Sequence, residues 1–182
     1  LKKKAWLTFH PIRIVYREKG GGKWEKIGEC GSNMFMGEYR NSIDEKGRLL
    51  VPSRIRSEVT GNVLVMTRGV DACLWIFPPE KWKQIAESIM GSSSMFKSKT
   101  RLLQRRIIAP AQECEIDRTG RVTIPPTLRE SAGIEMKKEA VILGIDSYLE
   151  VWDTDAYEAY LSESEGDFLE AAEELGDVLA GL

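Results

Sequence analysis

A chain of 182 residues with 42% hydrophobic content can bury an ordinary core unaided, and no apolar run in it approaches the ~18 residues a membrane span needs. Three widely spaced cysteines (Cys30, Cys73, Cys114) with no CxxC pairing exclude a disulfide framework and a zinc site, and place the chain in a reducing, cytosolic compartment. The net charge of −2 hides segregation: residues 1–33 carry eight basic against three acidic side chains, residues 34–138 carry 18 against 12, and residues 139–182 carry 13 acids with no Lys or Arg. A basic body with an acidic tail marks an anion-binding domain rather than an acidic protein.

In chain order, residues 1–33 show no sustained period, and Lys19-Gly20-Gly21-Gly22-Lys23 reads as flexible. Lys2-Lys3-Lys4 mimics a signal peptide, but His10, Pro11 and Arg13 interrupt the apolar run. Met34 and Met36 stand where a start codon would, so this segment reads as a leader or upstream sequence, with an ordered arm as the rival. A first hairpin pairs residues 38–43 with 48–51, its turn made by Asp44 and Gly47. Pro52 opens a short helix over 53–59, which Gly61-Asn62 stops. Residues 63–67 and 74–77 are strands joined through Gly69-Val70-Asp71. After Pro78-Pro79, residues 80–90 form an amphipathic helix with Trp82, Ile85, Ala86 and Ile89 on one face. Gly91-Ser92-Ser93-Ser94 reads as a hinge between units.

A basic helix follows, with Lys97, Lys99, Arg101, Arg105 and Arg106 around Leu102-Leu103, giving way to a strand near Ile107-Ile108. A second hairpin pairs 111–116 with 121–124, and a second short helix spans 125–132, capped by Gly133. A second strand pair covers 140–143 and 148–152. From Asp155 the chain reads as an acidic helix with breaks near Gly166 and Gly176.

The order of elements repeats because the residues repeat. Ile43-Asp44-Glu45-Lys46-Gly47-Arg48 recurs 73 positions later as Ile116-Asp117-Arg118-Thr119-Gly120-Arg121, each copy running to a proline, Pro52 and Pro125. At the same offset Arg56 matches Arg129. After two inserted residues, Gly69-Val70-Asp71 matches Gly144-Ile145-Asp146 and Trp82 matches Tyr157. A period of about 75 is too long for a solenoid, so one internally duplicated domain with pseudo-two-fold symmetry is the reading. The boundaries are a leader at 1–33, half-units at 34–94 and 95–160, and a helical tail at 161–182.

Catalysis finds little to work with. The only histidine is His10, which leaves no His-based acid, base or triad. Gly20-Gly21-Gly22-Lys23 has Trp24 where a phosphate loop needs Ser or Thr. Cys73 and Cys114 fall in strands, as small apolar residues do. Asp44 and Asp117 read as turn formers, each with an arginine four positions on. No enzyme, cofactor or metal is expected.

At its two DxxGR turns the chain resembles the MraZ family, marked by a duplicated Asp-x-x-x-Arg element. The flanks are similar too: Met34-Phe35-Met36-Gly37-Glu38-Tyr39, Leu102-Leu103-Gln104-Arg105-Arg106, and Glu113-Cys114-Glu115-Ile116-Asp117. The resemblance covers about residues 34–160, leaving out the leader and the tail beyond about Gly166. It implies an α+β, mainly β fold: an internally duplicated, AbrB/MazE-like swapped-hairpin (double-split) β-barrel with short helices and a C-terminal helix. It further implies a ring-shaped homo-oligomer and a nucleoid-associated regulator acting on double-stranded DNA, at GTGGG boxes in the promoter of the division and cell-wall genes.

An arginine fork matches the O6 and N7 edge of guanine, and a two-stranded ribbon fits the major groove. Residues 38–56 hold five basic and three acidic side chains, whereas 111–129 hold three of each. The first turn is therefore the expected principal contact, Arg48 reading bases and Lys46 holding phosphate, with Arg121, Arg118, Arg40 and Arg54 in support. Asp44, Gly47, Pro52, Asp117, Gly120 and Pro125 shape the turns, and either Asp could simply bridge to its Arg. Trp has one codon, TGG, and Glu begins GA, so Trp24-Glu25 must be encoded TGGGA. An AAG codon for Lys23 completes a GTGGG box, which would make the leader the regulator's own operator. The competing reading is an oligomeric structural or interaction protein, a nucleoid scaffold or antitoxin-like binder, with Trp75, Trp82 and Trp152 at subunit contacts rather than in the core.

Overall fold

The computed structural model describes residues 12–18, 24–31, 34–91 and 97–180, with side chains over 34–91 and 97–176. Near the start, β1 (Ile12–Glu18) and β2 (Trp24–Gly31) pair as an antiparallel ribbon with a bulge after Val15, strands that the segment's lack of period did not suggest. The glycine-rich stretch 19–23 and residues 92–94 of the expected hinge lie outside the described residues.

The body is built around eight strands. These are β3 (Phe35–Ser42), β4 (Arg48–Leu50), β5 (Val63–Arg68), β6 (Cys73–Phe77), β7 (Gln112–Glu115), β8 (Arg121–Thr123), β9 (Glu139–Asp146) and β10 (Tyr148–Asp153). Six form one sheet in the order β3-β9-β10-β6-β5-β7, while β4 and β8 pair with each other. Each order reads the same from either end once the units are exchanged, so the pseudo-two-fold axis passes between β6 and β10, where Trp75 lies opposite Glu150.

The expected local hairpins are not what forms. Between 38–43 and 48–51 the only ladder contact is the Ile43–Leu49 bridge, and its counterpart is Ile116–Val122. Instead β3 pairs along its whole length with β9 of the other unit, and β7 pairs with β5. The ladder from β3 cannot continue into β4, because the turn sends β4 away to the opposite layer. There it meets β8, with Leu49 against Val122. Alternation supplies the reason: Leu49 and Val122 are fully buried while Leu50 and Thr123 face solvent, so pairing β4 with β8 puts both apolar faces on one side, against the core.

Register also corrects the repeat. Ser42 pairs with Glu139, and the symmetric partner of that pair is Glu115 with Val63. β5 and β9 are thus 76 positions apart, not 75, while β6 and β10 keep 75. Three residues are inserted before β9 and one is dropped from the turn after it, where Ile145 pairs directly with Tyr148 and Asp146 takes a φ of 52°. Gly144 therefore corresponds to Arg68, not Gly69.

The central strands β5 and β9 read as continuous apolar runs because both sheet faces are covered. The inner face (Leu64, Met66, Leu74, Ile142, Leu149, Val151) packs on the β4–β8 ribbon and on Ile55 and Leu128. Those two come from α1 (Ser53–Glu58) and α4 (Pro126–Ser131). The outer face carries α2 (Pro79–Gly91) against β5, and α5 (Thr154–Glu163) against β9 and β10, with Trp152 and Tyr157 in contact. Trp152 is buried as a core residue; Trp75 and Trp82 are half-buried around Phe77. Asp153 caps α5 by accepting the N–H groups of Asp155 and Ala156.

Two further expectations fail locally. α3 (Ser98–Leu103) does not give way to a strand at Ile107 but widens into a π-helical turn over Gln104–Ile108. That turn buries Ile107 and lets its carbonyl accept from the buried Thr67 hydroxyl. The tail helix does break near Gly166, at Ser164, but not near Gly176, because α6 (Glu165–Ala180) runs on through that glycine. No helix among the described residues is long and apolar enough to cross a membrane.

Candidate nucleic-acid interface

The two DxxGR turns are the same device built twice. In the first, Asp44 C=O accepts from Gly47 N–H at 3.0 Å and Asp44 N–H donates to Arg48 C=O at 3.0 Å. The Asp44 carboxylate then accepts the N–H groups of Lys46 at 2.8 Å and Arg48 at 3.0 Å. Asp117 repeats this with Thr119 at 2.8 Å and Arg121 at 3.0 Å, and takes the Thr119 hydroxyl at 2.6 Å as well. Gly47 and Gly120 close the turns at φ values of +72° and +80°, the left-handed region open to glycine at little cost.

The strand exchange brings the turns side by side. Val51 N–H donates to Gly120 C=O, and Ile124 N–H to Gly47 C=O, both at 3.0 Å. Arg48 Nε donates to Asp44 at 2.7 Å, and its Nη1 reaches across to Asp117 at 3.3 Å. Arg48 thus sits between two carboxylates from different units, about a third exposed, with no bond from Nη2 among the described residues. Arg121 is held more loosely, by one bond of 3.0 Å to the Thr119 hydroxyl. The backbone N–H of Arg48 lowers the Asp44 pKa first of all; for Asp117 the Thr119 hydroxyl leads, followed by the Arg121 N–H, and its pKa falls to about 2. Both stay ionised at neutral pH.

Other expected residues divide. Lys46 and Arg118 are exposed at the turn tips, and Arg54 is exposed at the start of α1. Arg40 faces elsewhere: its guanidinium lies within 3.2–3.8 Å of Glu38, Glu139 and Glu158, toward α5. Pro52 and Pro125 stand at the N-caps of α1 and α4. Two residues with no assigned role prove central: Arg56 lies over Gly120 and Arg129 over Gly47, each unit's helix roofing the other unit's turn. Both Nε atoms are buried, and among the described residues neither has a hydrogen-bond partner. Their shared offset of 73 was the only trace of this in the sequence.

Nothing nearby suits bond-making chemistry. No cluster of metal-binding side chains exists among the described residues, and burial raises the pKa of Cys73 and Cys114 rather than activating either thiol. The arrangement is a pair of rigid, basic-tipped loops on one edge of the barrel.

Eight strands exchanged between two equivalent halves define an internally duplicated swapped-hairpin β-barrel. The chain belongs to the MraZ family: the family described as "MraZ protein, putative antitoxin-like" matches residues 34–106 and again 107–179. The second match runs well past Gly166, so the tail helix is part of the family pattern after all. The chain is 53% identical over 142 residues to the transcriptional regulator MraZ of Treponema denticola, covering 78% of this chain and 97% of that one. It is 45% identical to the Treponema pallidum (strain Nichols) protein of that name, covering 80% and 97%, and 38% identical to that of Natranaerobius thermophilus, covering 79% and 98%.

Proposed function

We propose that this chain is a non-enzymatic, DNA-binding transcription regulator that presents its paired DxxGR turns to the major groove. The carrying observation is the junction itself. Two turns from two repeats are locked side by side by Arg48 and by crossed backbone bonds, while Lys46, Arg118 and part of Arg121 face outward. The printed names of the relatives, transcriptional regulators all, support the same reading. Two aspartates fix the plane of Arg48 through Nε and Nη1, and among the described residues Nη2 has no partner, a posture suited to the purine edge. Lys46 and Arg118 hold phosphate, setting register without reading sequence. A ring of subunits on repeated GTGGG boxes would convert each later contact into an intramolecular one, and boxes encoded at residues 23–31 would make the regulator act on its own gene.

The test separates reading from bracing. Arg48→Lys keeps a cation for Asp44 and Asp117 but loses the planar fork. Gel shifts of the folded variant with a GTGGG-repeat duplex and a scrambled one should show selectivity gone and weak, unselective binding left. Arg121→Ala should weaken binding less. Full selectivity in the Arg48→Lys protein would reduce Arg48 to a brace and count against the assignment. For autoregulation, the nucleotide sequence upstream of the Met34 codon must contain regularly spaced GTGGG boxes.

A further inference from the structure

Helix α6 has almost no reason to be a helix on its own. Every side chain described in it, from Glu165 to Gly176, is exposed, so tertiary packing contributes little. Its carboxylates at Asp167, Glu170, Glu173 and Glu174 recur at three- and four-residue spacing with no base between them, an arrangement that repels itself along one helix. Isolated helices of ~12–15 residues are marginal in water even with favourable sequences. Yet this one carries an apolar stripe, Phe168, Ala172 and Leu175, with Phe168 69% and Leu175 58% exposed. A helix so charged and so bare is built to be covered by something basic with an apolar centre.

The same chain carries that surface. Residues 88–112 hold five basic side chains and no acidic one. Along α3 and the π-helical turn, Lys99, Leu102, Leu103 and Arg106 follow three- and four-residue spacing, all exposed. Leu102 is 55% and Leu103 46% exposed, and Met90 beside them is 54% exposed, tied in by Gln104 Nε2 at 3.4 Å from its sulfur. Neither stripe covers the other within one chain, since both are exposed.

We infer that α6 of one copy docks on α3 of a second copy, its apolar stripe against Leu102 and Leu103 and its carboxylates against Lys99 and Arg106. Each copy then offers one donor helix and one acceptor surface. Such a contact is heterologous, so it repeats from copy to copy and forms a ring when the rotation closes. It supplies a seam for the assembly proposed above, but it does not depend on DNA.

The full-length chain, free of DNA, is weighed by sedimentation across concentration. Wild type should assemble. Lys99→Glu/Arg106→Glu, altering only exposed side chains, should raise the concentration for half-assembly about tenfold or more, equivalent to ~1.4 kcal/mol. Adding Glu170→Lys/Glu173→Lys should restore it. An unchanged mass in the first variant, no recovery in the second, or a monomeric wild type would overturn the seam. In parallel, Leu103→Cys and Leu175→Cys chains prepared separately and mixed under oxidation should give a disulfide-linked pair containing one of each; absence of that product counts against a second copy as occupant. Because a single-box duplex can still be bound by a disassembled variant, loss of assembly with retained retardation leaves the DNA reading standing.

Discussion

At the scale of single residues, the two turns look equivalent but are not equally tight. A Cβ at Gly47 would lie 3.5 Å from Arg129 Nε, ordinary contact, whereas one at Gly120 would lie 2.0 Å from Arg56 Nη1. Both substitutions carry the left-handed penalty of ~1–2 kcal/mol. Only Gly120→Ala must also expel a guanidinium from its seat, so it should cost more stability in urea unfolding than Gly47→Ala. Arg56→Ala clears that seat, so the second penalty should disappear in the Gly120→Ala/Arg56→Ala double variant. Equal costs for the two glycine variants would show that Arg56 merely drifts over the turn. Arg48 teaches a related lesson: the sequence places an aspartate four residues before it, but the second aspartate, from the other unit, is visible only once the strands cross.

At the scale of elements, most strands and short helices were legible because their signals are local. The apolar runs of β5, β6 and β10, the prolines before α1 and α4, and the glycines of the turns act within a few residues. Pairing was not local. Residues adjacent to a tight turn ordinarily close their own hairpin, and nothing in 38–51 says that β3 will choose β9. The family resemblance, not the spacing, carried that information. The π-helical turn at Ile107 escaped for a similar reason, since Ile107-Ile108 has strand composition and is turned aside by Thr67, some 40 residues earlier in the chain. Exchange also has a consequence for folding. A half-unit ending near residue 91 keeps β3 and β4 without β9 and β8, exposing Leu49, Phe35 and much of the inner face. Fragments 34–94 and 95–163 should each lack cooperative thermal unfolding alone and regain it when mixed in equal amounts. A cooperative transition in either fragment alone would mean that a half-unit can close its own hairpin.

At the scale of the whole molecule, charge and assembly pull DNA affinity in opposite directions. Deleting residues 164–182 removes six carboxylates and moves the formal net charge from −2 to +4. Long-range electrostatics alone would then favour DNA, by an amount that salt screens within about 8 Å at physiological ionic strength. If α6 also ties copies together, the same deletion abolishes the linkage that makes later contacts intramolecular, an advantage that can reach ~10²–10⁴ in avidity. The second effect is the larger on a repeated site and absent on a single one. The truncated chain should therefore bind a single GTGGG box as well as or better than the full chain, but bind a multi-box duplex far more weakly, with a shallower dependence of log K on log salt because fewer phosphates are neutralised at once. Titrations of both chains against both duplexes at several salt concentrations give the four slopes needed. Parallel gains on the two duplexes would leave the tail as an electrostatic shield and remove it from assembly.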